Sequence, residues 1–275
     1  MGYLAEKEYF KNAVLNGNID FWDYEPTYIV NVGMSMPISV KVADCYEYNS
    51  TIATSSDYKL RTVSQADDYP VKYRFGSGHS LKVQANRASS SSTANVTETE
   101  YLSCFVTSEQ LLRLTESALF LSFYVKMPAT TDLTVGVYNQ NTDSPIAYFA
   151  PLTIAGSEAN TWVRKVIEIP AITIEDQLQT YDTLKCLEIR FYFSLGATLK
   201  TLTVPTAGTR PVWTTLYTYT GTPVGFTTQT NLFEGASNTS ASFYITRIQL
   251  EANTCTDFED KPRIIEMLQL PYYRS

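Results

Sequence analysis

Apolar and polar positions alternate along many short segments of the chain, and clusters of Gly, Pro, Asn, Ser and Asp separate those segments. Alternation with a period of two is typical of β-strands that bury one face, and no long helical period lies between the segments. The pattern therefore predicts an all-β fold, an antiparallel two-sheet β-sandwich with one or two short helices. The predicted strands are residues 38–42, 80–84, 100–107, 119–127, 134–138, 162–169, 187–193 and 242–250.

The last predicted strand changes the phase of its alternation halfway along. Phe243 and Ile245 are at odd-numbered positions, whereas Ile248 and Leu250 are at even-numbered positions. We interpret the whole run as one strand with a single buried face, which closes the sandwich. Phe258, which follows a polar loop, is then a candidate plug over the end of the sandwich.

Three segments are candidates for the short helices. Residues 4–15 place apolar and aromatic side chains at helical intervals, and Gly17 follows them as a helix stop. Residues 108–114 begin with Ser108, a favourable capping residue, and continue into a leucine-rich run. A third short amphipathic segment follows Pro262.

The first fifteen residues form a separate unit in this interpretation, and residues 16–275 form the sandwich. Tyr9, Phe10 and Val14 give the segment an apolar side, but a helix of this length is not stable alone in water. These side chains need a surface that buries them, so we predict that residues 1–15 are an attachment segment for a neighbouring chain or a larger assembly. The alternative is that the segment folds back onto its own sandwich.

A long segment rich in Gly, Pro and Asn, residues 201–240, contains the other candidate site residues. Trp213, Tyr217, Tyr219 and Phe226 concentrate aromatic rings there. Sugar rings stack on exposed Tyr and Trp side chains, so the segment is a candidate glycan platform. Subunit interfaces are also enriched in aromatic residues, and we favour that second interpretation, contact with a partner, for this loop.

Composition agrees with the predicted strands. Of the 275 residues, 44% are hydrophobic and only 18% are charged, and 20 Tyr and 13 Phe suit pleated, half-buried surfaces. The net charge of −7 argues against nucleic acid as a partner, because binding phosphate needs clustered Lys and Arg. No apolar run is long enough to span a bilayer and the first residues lack a secretory pattern, so we expect cytoplasmic folding without membrane insertion.

Catalytic motifs are missing from the sequence. His79 is the single histidine, and no G-x-S-x-G or H-E-x-x-H motif accompanies it, so we interpret it as a turn residue. Carboxylate pairs such as Asp67 and Asp68 are neighbours in sequence, and neighbours on a strand point to opposite faces rather than across a cleft. We therefore interpret these pairs as solvated loop charge and predict no catalytic residue.

The sequence also predicts no cofactor and no metal. Asp20, Glu251 and Asp257 are oxygen ligands that could meet near the sheet ends, but no calcium-loop motif supports such a site. The cysteines contain no C-x-x-C pair and suggest neither zinc nor a redox motif, so we predict free thiols, although an even number allows disulfides. The four cysteines are Cys45, Cys104, Cys186 and Cys255.

Several stretches, most clearly at the C-terminal end, resemble a known family. Residues 243–251 end in Gln-Leu-Glu, residues 258–263 read Phe-Glu-Asp-Lys-Pro-Arg, and residues 272–275 read Tyr-Tyr-Arg-Ser. This succession resembles the closing signature of bacteriophage virion modules, which are jelly-roll domains of carbohydrate-binding-module type in tail fibres, head fibres and capsid decorations. Further similarities to these modules occur at residues 16–22, 43–46, 119–126, 160–170 and 187–193.

The resemblance implies a bacteriophage virion structural protein without enzymatic activity, located in the virion and assembled in the cytoplasm of the host bacterium. It implies a jelly-roll-like sandwich, other virion proteins as partners and a homotrimer. The length of 275 residues leaves no room for a long shaft, which favours a head fibre, a capsid decoration or a short tail-associated fibre. The alternative is a carbohydrate-recognising protein that binds a host surface glycan; a glycan hydrolase is disfavoured because the catalytic set is missing.

Overall fold

The structure is a computed structural model, and it describes the parts of the chain that build the sandwich. The described residues are 12–14, 17, 19, 22, 27–32, 38–43, 45–50, 59–70, 78–85, 99–111, 114, 116–128, 131–139, 146–172, 186–195, 214–215 and 241–258.

Nearly all of the regular structure in these residues is β-strand. One short α-helix, α1 (Ser108–Leu111), and one turn of 3₁₀-helix, Gly156–Glu158, accompany the strands. The strands are β1 (Thr27–Val32), β2 (Ile38–Ala43), β3 (Tyr46–Ser50), β4 (Lys59–Ala66), β5 (Ser80–Ala85), β6 (Thr99–Val106), β7 (Leu119–Lys126), β8 (Thr131–Asn139), β9 (Ile146–Ile154), β10 (Val163–Ile169), β11 (Leu187–Leu195), β12 (Thr214–Thr215) and β13 (Ser242–Ala252).

The strands form two sheets. The first sheet has the order β1-β4-β5-β13-β7-β10, and the second has the order β12-β9-β8-β11-β6-β3-β2. The described strand pairs are antiparallel throughout. The predicted fold class, an all-β, antiparallel, jelly-roll-like sandwich of two sheets, is confirmed.

Phenylalanine side chains join the two sheets at the centre of the core. Phe123 on β7 packs edge-on against Phe191 on β11, with ring centroids 5.1 Å apart. Phe243 on β13 packs in the same way against Phe193 on β11, at 4.9 Å. All four are fully buried, and edge-to-face pairs add to the stability that burial alone provides.

The predicted strands correspond to β2, β5, β6, β7, β8, β10, β11 and β13, and the helix predicted at residues 108–114 is observed as α1. The strands β1, β3, β4, β9 and β12 were not predicted. In β3 the core positions are occupied by Tyr46 and Tyr48. Tyrosine is less hydrophobic than an aliphatic residue, so the buried and exposed positions of this strand differ less clearly in the sequence. In β9, Pro151 weakens a strand prediction because Pro cannot donate to the ladder. Pro151 is tolerated because the described part of β12 pairs with β9 only at Ile146 and Ala147.

The described N-terminal residues lie alongside β13, where β5 stops pairing with it. β5 pairs with only the first four residues of β13. Beyond them, the N–H of Ala13 donates to the carbonyl oxygen of Leu250 (2.9 Å), and the N–H of Ile248 donates to the carbonyl oxygen of Gly17 (3.1 Å). The Asn12 side chain accepts from the N–H of Leu250 and donates to the carbonyl oxygen of Ile248. These contacts satisfy backbone groups that β5 leaves unpaired.

The helix predicted for residues 4–15 is wrong at residues 12–14, which are not helical. The reason is that Asn12 and Ala13 bond to β13 instead of to a helical turn. Val14 is fully buried in the core cluster of the sandwich, so at this residue the segment follows the alternative in which it folds back. Tyr9 and Phe10 lie outside the described residues, and the attachment role of the segment stays a prediction.

Candidate functional site

Four side chains from four segments form a row on the outer face of the first sheet. Tyr244 on β13 lies directly opposite Lys82 on β5 and opposite Lys126 on β7. Trp162 precedes β10, and the pairing of the next residue with β7 places it beside Lys126. Side chains that lie opposite one another in antiparallel strands share a face, so Lys82, Tyr244, Lys126 and Trp162 form one line. We call this line the outer row.

The two rings of the outer row contact each other and two ammonium groups. The rings of Trp162 and Tyr244 lie 6.2 Å apart in an edge-on arrangement. The Nζ atoms of Lys126 and Lys82 lie 5.2 and 5.6 Å from the centre of the Tyr244 ring, within the range of cation–π attraction. All four side chains remain partly exposed, so a ligand can reach them from solvent.

Asp68, from the loop after β4, fixes the positions of two members of the row. Its Oδ1 accepts a hydrogen bond from Nε1 of Trp162 (2.8 Å), and its Oδ2 accepts one from Nζ of Lys126 (2.7 Å). The carbonyl oxygen of Asp68 also accepts a hydrogen bond from Ser80, which is buried. The tryptophan and the lysine are therefore held in place before any ligand arrives.

The surroundings of Asp68 keep its carboxylate ionised. Partial burial raises the pKa of Asp68, but the hydrogen bonds from Lys126 and Trp162 and the charges of Lys126 and Lys82 outweigh burial, so the pKa lies below its ordinary value of 3.8. The site thus holds a permanent carboxylate at neutral pH. The prediction that Asp67 and Asp68 are both solvated loop charges holds for Asp67, which is 93% exposed, but Asp68 has specific partners.

The chemistry of the outer row suits a ligand with both apolar and polar faces. Aromatic side chains present flat apolar surface, and fixed N–H, ammonium and carboxylate groups beside them provide directional hydrogen bonds. Binding sites typically combine such surfaces with a few well-placed polar groups. The outer row therefore has the parts needed for stacking a sugar ring and bonding its hydroxyl groups.

A second group of aromatic and charged residues lies on the outer face of the second sheet. The guanidinium carbon of Arg190 lies 3.8 Å from the centre of the Tyr138 ring and 4.7 Å from that of Tyr101. Glu188 pairs with Arg190 at 2.6 Å, and the hydroxyl groups of Tyr138 and Tyr192 are hydrogen-bonded. Tyr138 and Tyr192 are only 4% and 3% exposed, so their rings are not open to a ligand. This tyrosine–arginine cluster is a mostly buried polar network, with only Tyr101 and Arg190 partly exposed, and is not the candidate site.

The aromatic site residues proposed from the sequence, Trp213, Tyr217, Tyr219 and Phe226, lie outside the described residues. Their role as glycan or partner contacts stays a prediction. The outer row is not apparent from the sequence, because its members are far apart in the chain and the alternation of residues indicates only that Trp162 and Tyr244 belong to strands. The one signal was that large aromatic side chains occupy outward positions of otherwise amphipathic strands.

Other candidate chemistry is sparse in the described part of the chain. His79 Nδ1, on a side chain that is 19% exposed, lies 3.1 Å from Oδ1 of the exposed Asp67. No three His, Cys, Asp or Glu side chains come together as metal ligands among the described residues. Of the residues considered for calcium, Glu251 accepts hydrogen bonds from Thr256 and Gln249, and Asp20 is not described. The described helices include none long and apolar enough to cross a membrane.

No family model matches the chain, and no curated protein matches it. Among solved structures, it is similar to the enzymatically active domain of tailspike protein 4 of bacteriophage CBA120, with a TM-score of 0.41 and 11% identity over 88% of this chain and 21% of that chain. It is similar to a putative sugar binding protein from Bacteroides thetaiotaomicron, with a TM-score of 0.40 and 13% identity over 88% of this chain and 100% of that one.

A family 11 carbohydrate-binding module of a Clostridium thermocellum cellulase is also similar, with a TM-score of 0.37 and 10% identity over 83% of this chain and 99% of that one. The chain thus spans about a fifth of the length of the tailspike chain, 21%. These identities and TM-scores are too low to assign a function to this chain.

Proposed function

We propose that this chain is a non-enzymatic, carbohydrate-recognising module of a bacteriophage virion, which binds glycans of the host surface through the outer row. One observation carries the glycan proposal: the partly exposed rings of Trp162 and Tyr244 lie 6.2 Å apart, with a carboxylate and two ammonium groups around them. Three members of the row, Lys82, Lys126 and Tyr244, lie within strands, and strands position side chains more precisely than loops do.

Binding would follow from stacking and preorganisation. The C–H face of a sugar ring buries apolar area against Trp162 or Tyr244, while its hydroxyl groups bond to Asp68 and the lysines. Asp68 already holds Trp162 and Lys126 through hydrogen bonds of 2.8 and 2.7 Å. Less conformational freedom is therefore lost when the ligand arrives, and such preorganisation strengthens binding.

The virion part of the proposal is supported by the resemblance of residues 243–251, 258–263 and 272–275 to phage virion modules. It carries with it the expectations of other virion proteins as partners and of a homotrimer with cyclic symmetry. The non-enzymatic part is supported by the sequence, which has a single histidine and none of the catalytic motifs sought.

Glycan binding is tested with Trp162→Ala and Tyr244→Ala, measured on an array of bacterial surface glycans and then by calorimetry on the best ligand. We expect each substitution to weaken binding about tenfold or more, which corresponds to about 1.4 kcal/mol. The matched control is Phe120→Ala. Phe120 is a partly exposed aromatic residue on the same face of β7, about 20 Å from Lys126 at the usual rise per residue. Equal losses for Phe120→Ala and Trp162→Ala would contradict the assignment of the site.

The virion assignment is tested by the protein content of purified phage particles and by light scattering of the isolated protein. A chain that lacks residues 2–11 is the best variant, because it removes Tyr9 and Phe10 but keeps Asn12 and Ala13 bonded to β13. We expect a trimeric mass for the full chain and loss of the shortened chain from particles. Absence of the full-length protein from particles would contradict the proposal, and so would release of reducing sugars from a bound glycan, because it would show catalysis.

A further inference from the structure

We infer that the glycan bound by the outer row is acidic, and that an anionic group of the sugar binds the ammonium group of Lys82 while a neutral sugar ring lies at the Trp162 end. This inference rests on the proposed function, because it names the class of sugar that the same site takes. Three observations carry it: the ion pairing of the neighbouring cations, the order of charges along the row and the overall charge of the chain.

Among the residues that the structure describes, Lys82 differs from Lys126 and Lys165 on the same sheet because it forms no ion pair with a carboxylate, although Asp68 lies near enough to be influenced by its charge. Lys126 pairs with Asp68 at 2.7 Å, and Lys165 pairs with Glu158 at 2.9 Å. Within the part of the chain that the structure describes, the ammonium group of Lys82 has no carboxylate at ion-pair distance and contacts the Tyr244 ring instead. A cation–π contact leaves the three N–H donors of an ammonium group available to solvent or to a ligand.

The order of charges gives the row a direction. Lys82 and Trp162 are its two ends, separated by three inter-strand spacings, about 14 Å. The Asp68 carboxylate is hydrogen-bonded to Trp162 and Lys126 and interacts with Lys82 only through its charge, so it would repel a second negative charge most strongly at the Trp162 end. Lys126, between the ends, is already neutralised by Asp68. An anionic group on the ligand is therefore favoured at the Lys82 end and disfavoured at the other.

The net negative charge of the chain strengthens this preference for the Lys82 end. With 28 acidic and 21 basic residues, the chain has a net charge of −7 and repels anions in general. An acidic glycan would then bind only where a local positive charge outweighs this background. Lys82 beside the partly exposed ring of Tyr244 is such a place, because it can bond the anionic group while the exposed part of Tyr244 contacts the C–H groups of the same sugar.

The test uses pairs of saccharides that differ only in charge: oligogalacturonate and its methyl ester, and a sialylated glycan and its asialo form, with a sulfated glycan to separate carboxylate from sulfate recognition. Affinities are measured by calorimetry at two salt concentrations. We expect the full-length protein to bind the acidic member of at least one pair about tenfold more tightly than the neutral member, with a difference that shrinks at high salt.

Substitutions then assign the preference to Lys82. Lys82→Gln is expected to abolish the difference between acidic and neutral members, and Lys82→Arg to retain most of it, because only the latter keeps a cation. Lys41→Gln, which removes an exposed lysine on β2 of the other sheet, is the matched control and is expected to leave the difference unchanged. Equal affinity of the wild-type protein for both members of every pair, or a preference that survives Lys82→Gln, would overturn the inference and leave the proposed glycan binding standing. Failure to bind any saccharide of either charge would overturn both.

Discussion

The carbonyl oxygen of Gly17 accepts a hydrogen bond from the N–H of Ile248 at 3.1 Å, and the two backbones approach so closely that a Cβ on Gly17 would lie 2.4 Å from the carbonyl oxygen of Ile248. This contact joins the N-terminal segment to β13 at the point where the alternation of β13 changes phase. Gly17 is therefore needed for close packing of two backbones and not as the helix stop that the sequence suggested.

Substitution of Gly17 by Ala should destabilise the sandwich. The new Cβ would overlap a backbone atom, which cannot rotate away as a side chain can, so we expect a loss of about 1–3 kcal/mol, the usual cost of overpacking. Urea denaturation of the Gly17→Ala variant measures it. The control is Gly156→Ala at an exposed turn, for which we expect a change within about 0.5 kcal/mol. Similar effects of the two substitutions would refute the close approach.

The Phe193–Phe243 pair should be a main contributor to the stability of the core. Both rings are fully buried and 4.9 Å apart, so Phe243→Ala should cost about 3–5 kcal/mol through lost burial and a cavity. Val166→Ala, on a side chain that is 45% exposed, should cost far less. Thermal or urea unfolding of the two variants compares these losses, and a small loss for Phe243→Ala would be incompatible with the packing described.

Asp68 should contribute pH-dependent stability. Its pKa in the folded state is below the ordinary value of 3.8, so its contribution is present above pH 3.8 and is lost as the pH falls through the folded-state pKa. Asp68 is 41% exposed, and we therefore expect Asp68→Asn to cost no more than about 1 kcal/mol at neutral pH. Unfolding measured from pH 7 down to about pH 2 should show this difference shrinking toward acid. Asp67→Asn is the control, and a difference that grew toward acid would contradict the sign.

Thiol reactivity should separate one cysteine from the other three. The structure has all four as free cysteines, as predicted, with Cys45, Cys104 and Cys186 buried and Cys255 partly exposed. Burial also raises the pKa of the Cys104 thiol. A colorimetric thiol reagent at mildly basic pH should therefore titrate one thiol in the folded protein and four after unfolding, and Cys255→Ser should remove the reactivity of the folded state. Rapid labelling of a second cysteine in the folded protein would contradict the burial.

The sequence by itself determined the fold class and most of the strands. Alternation of apolar and polar residues follows from the two faces of a strand, so it is present in the sequence wherever one face is buried. The change of phase between Ile245 and Ile248 is the clearest case. The structure shows an irregular register between Thr246 and Gln249, and Arg247 adopts a positive φ of 53° there. One extra residue shifts the parity of every later position, which is what the sequence pattern indicated.

Only the tertiary structure decided which residues meet. The outer row is assembled from the positions of Lys82, Lys126, Trp162 and Tyr244, and strand order and register place them side by side although they are far apart in sequence. The neighbouring sequence does not distinguish Asp68 from Asp67. The partners of Asp68 are Lys126 on β7 and Trp162 just before β10, which are distant in the chain. The alternation of apolar and polar residues is visible within a single segment, because each strand has its own buried face. A binding surface depends on how distant segments pair with one another, and the sequence of one segment does not specify that pairing.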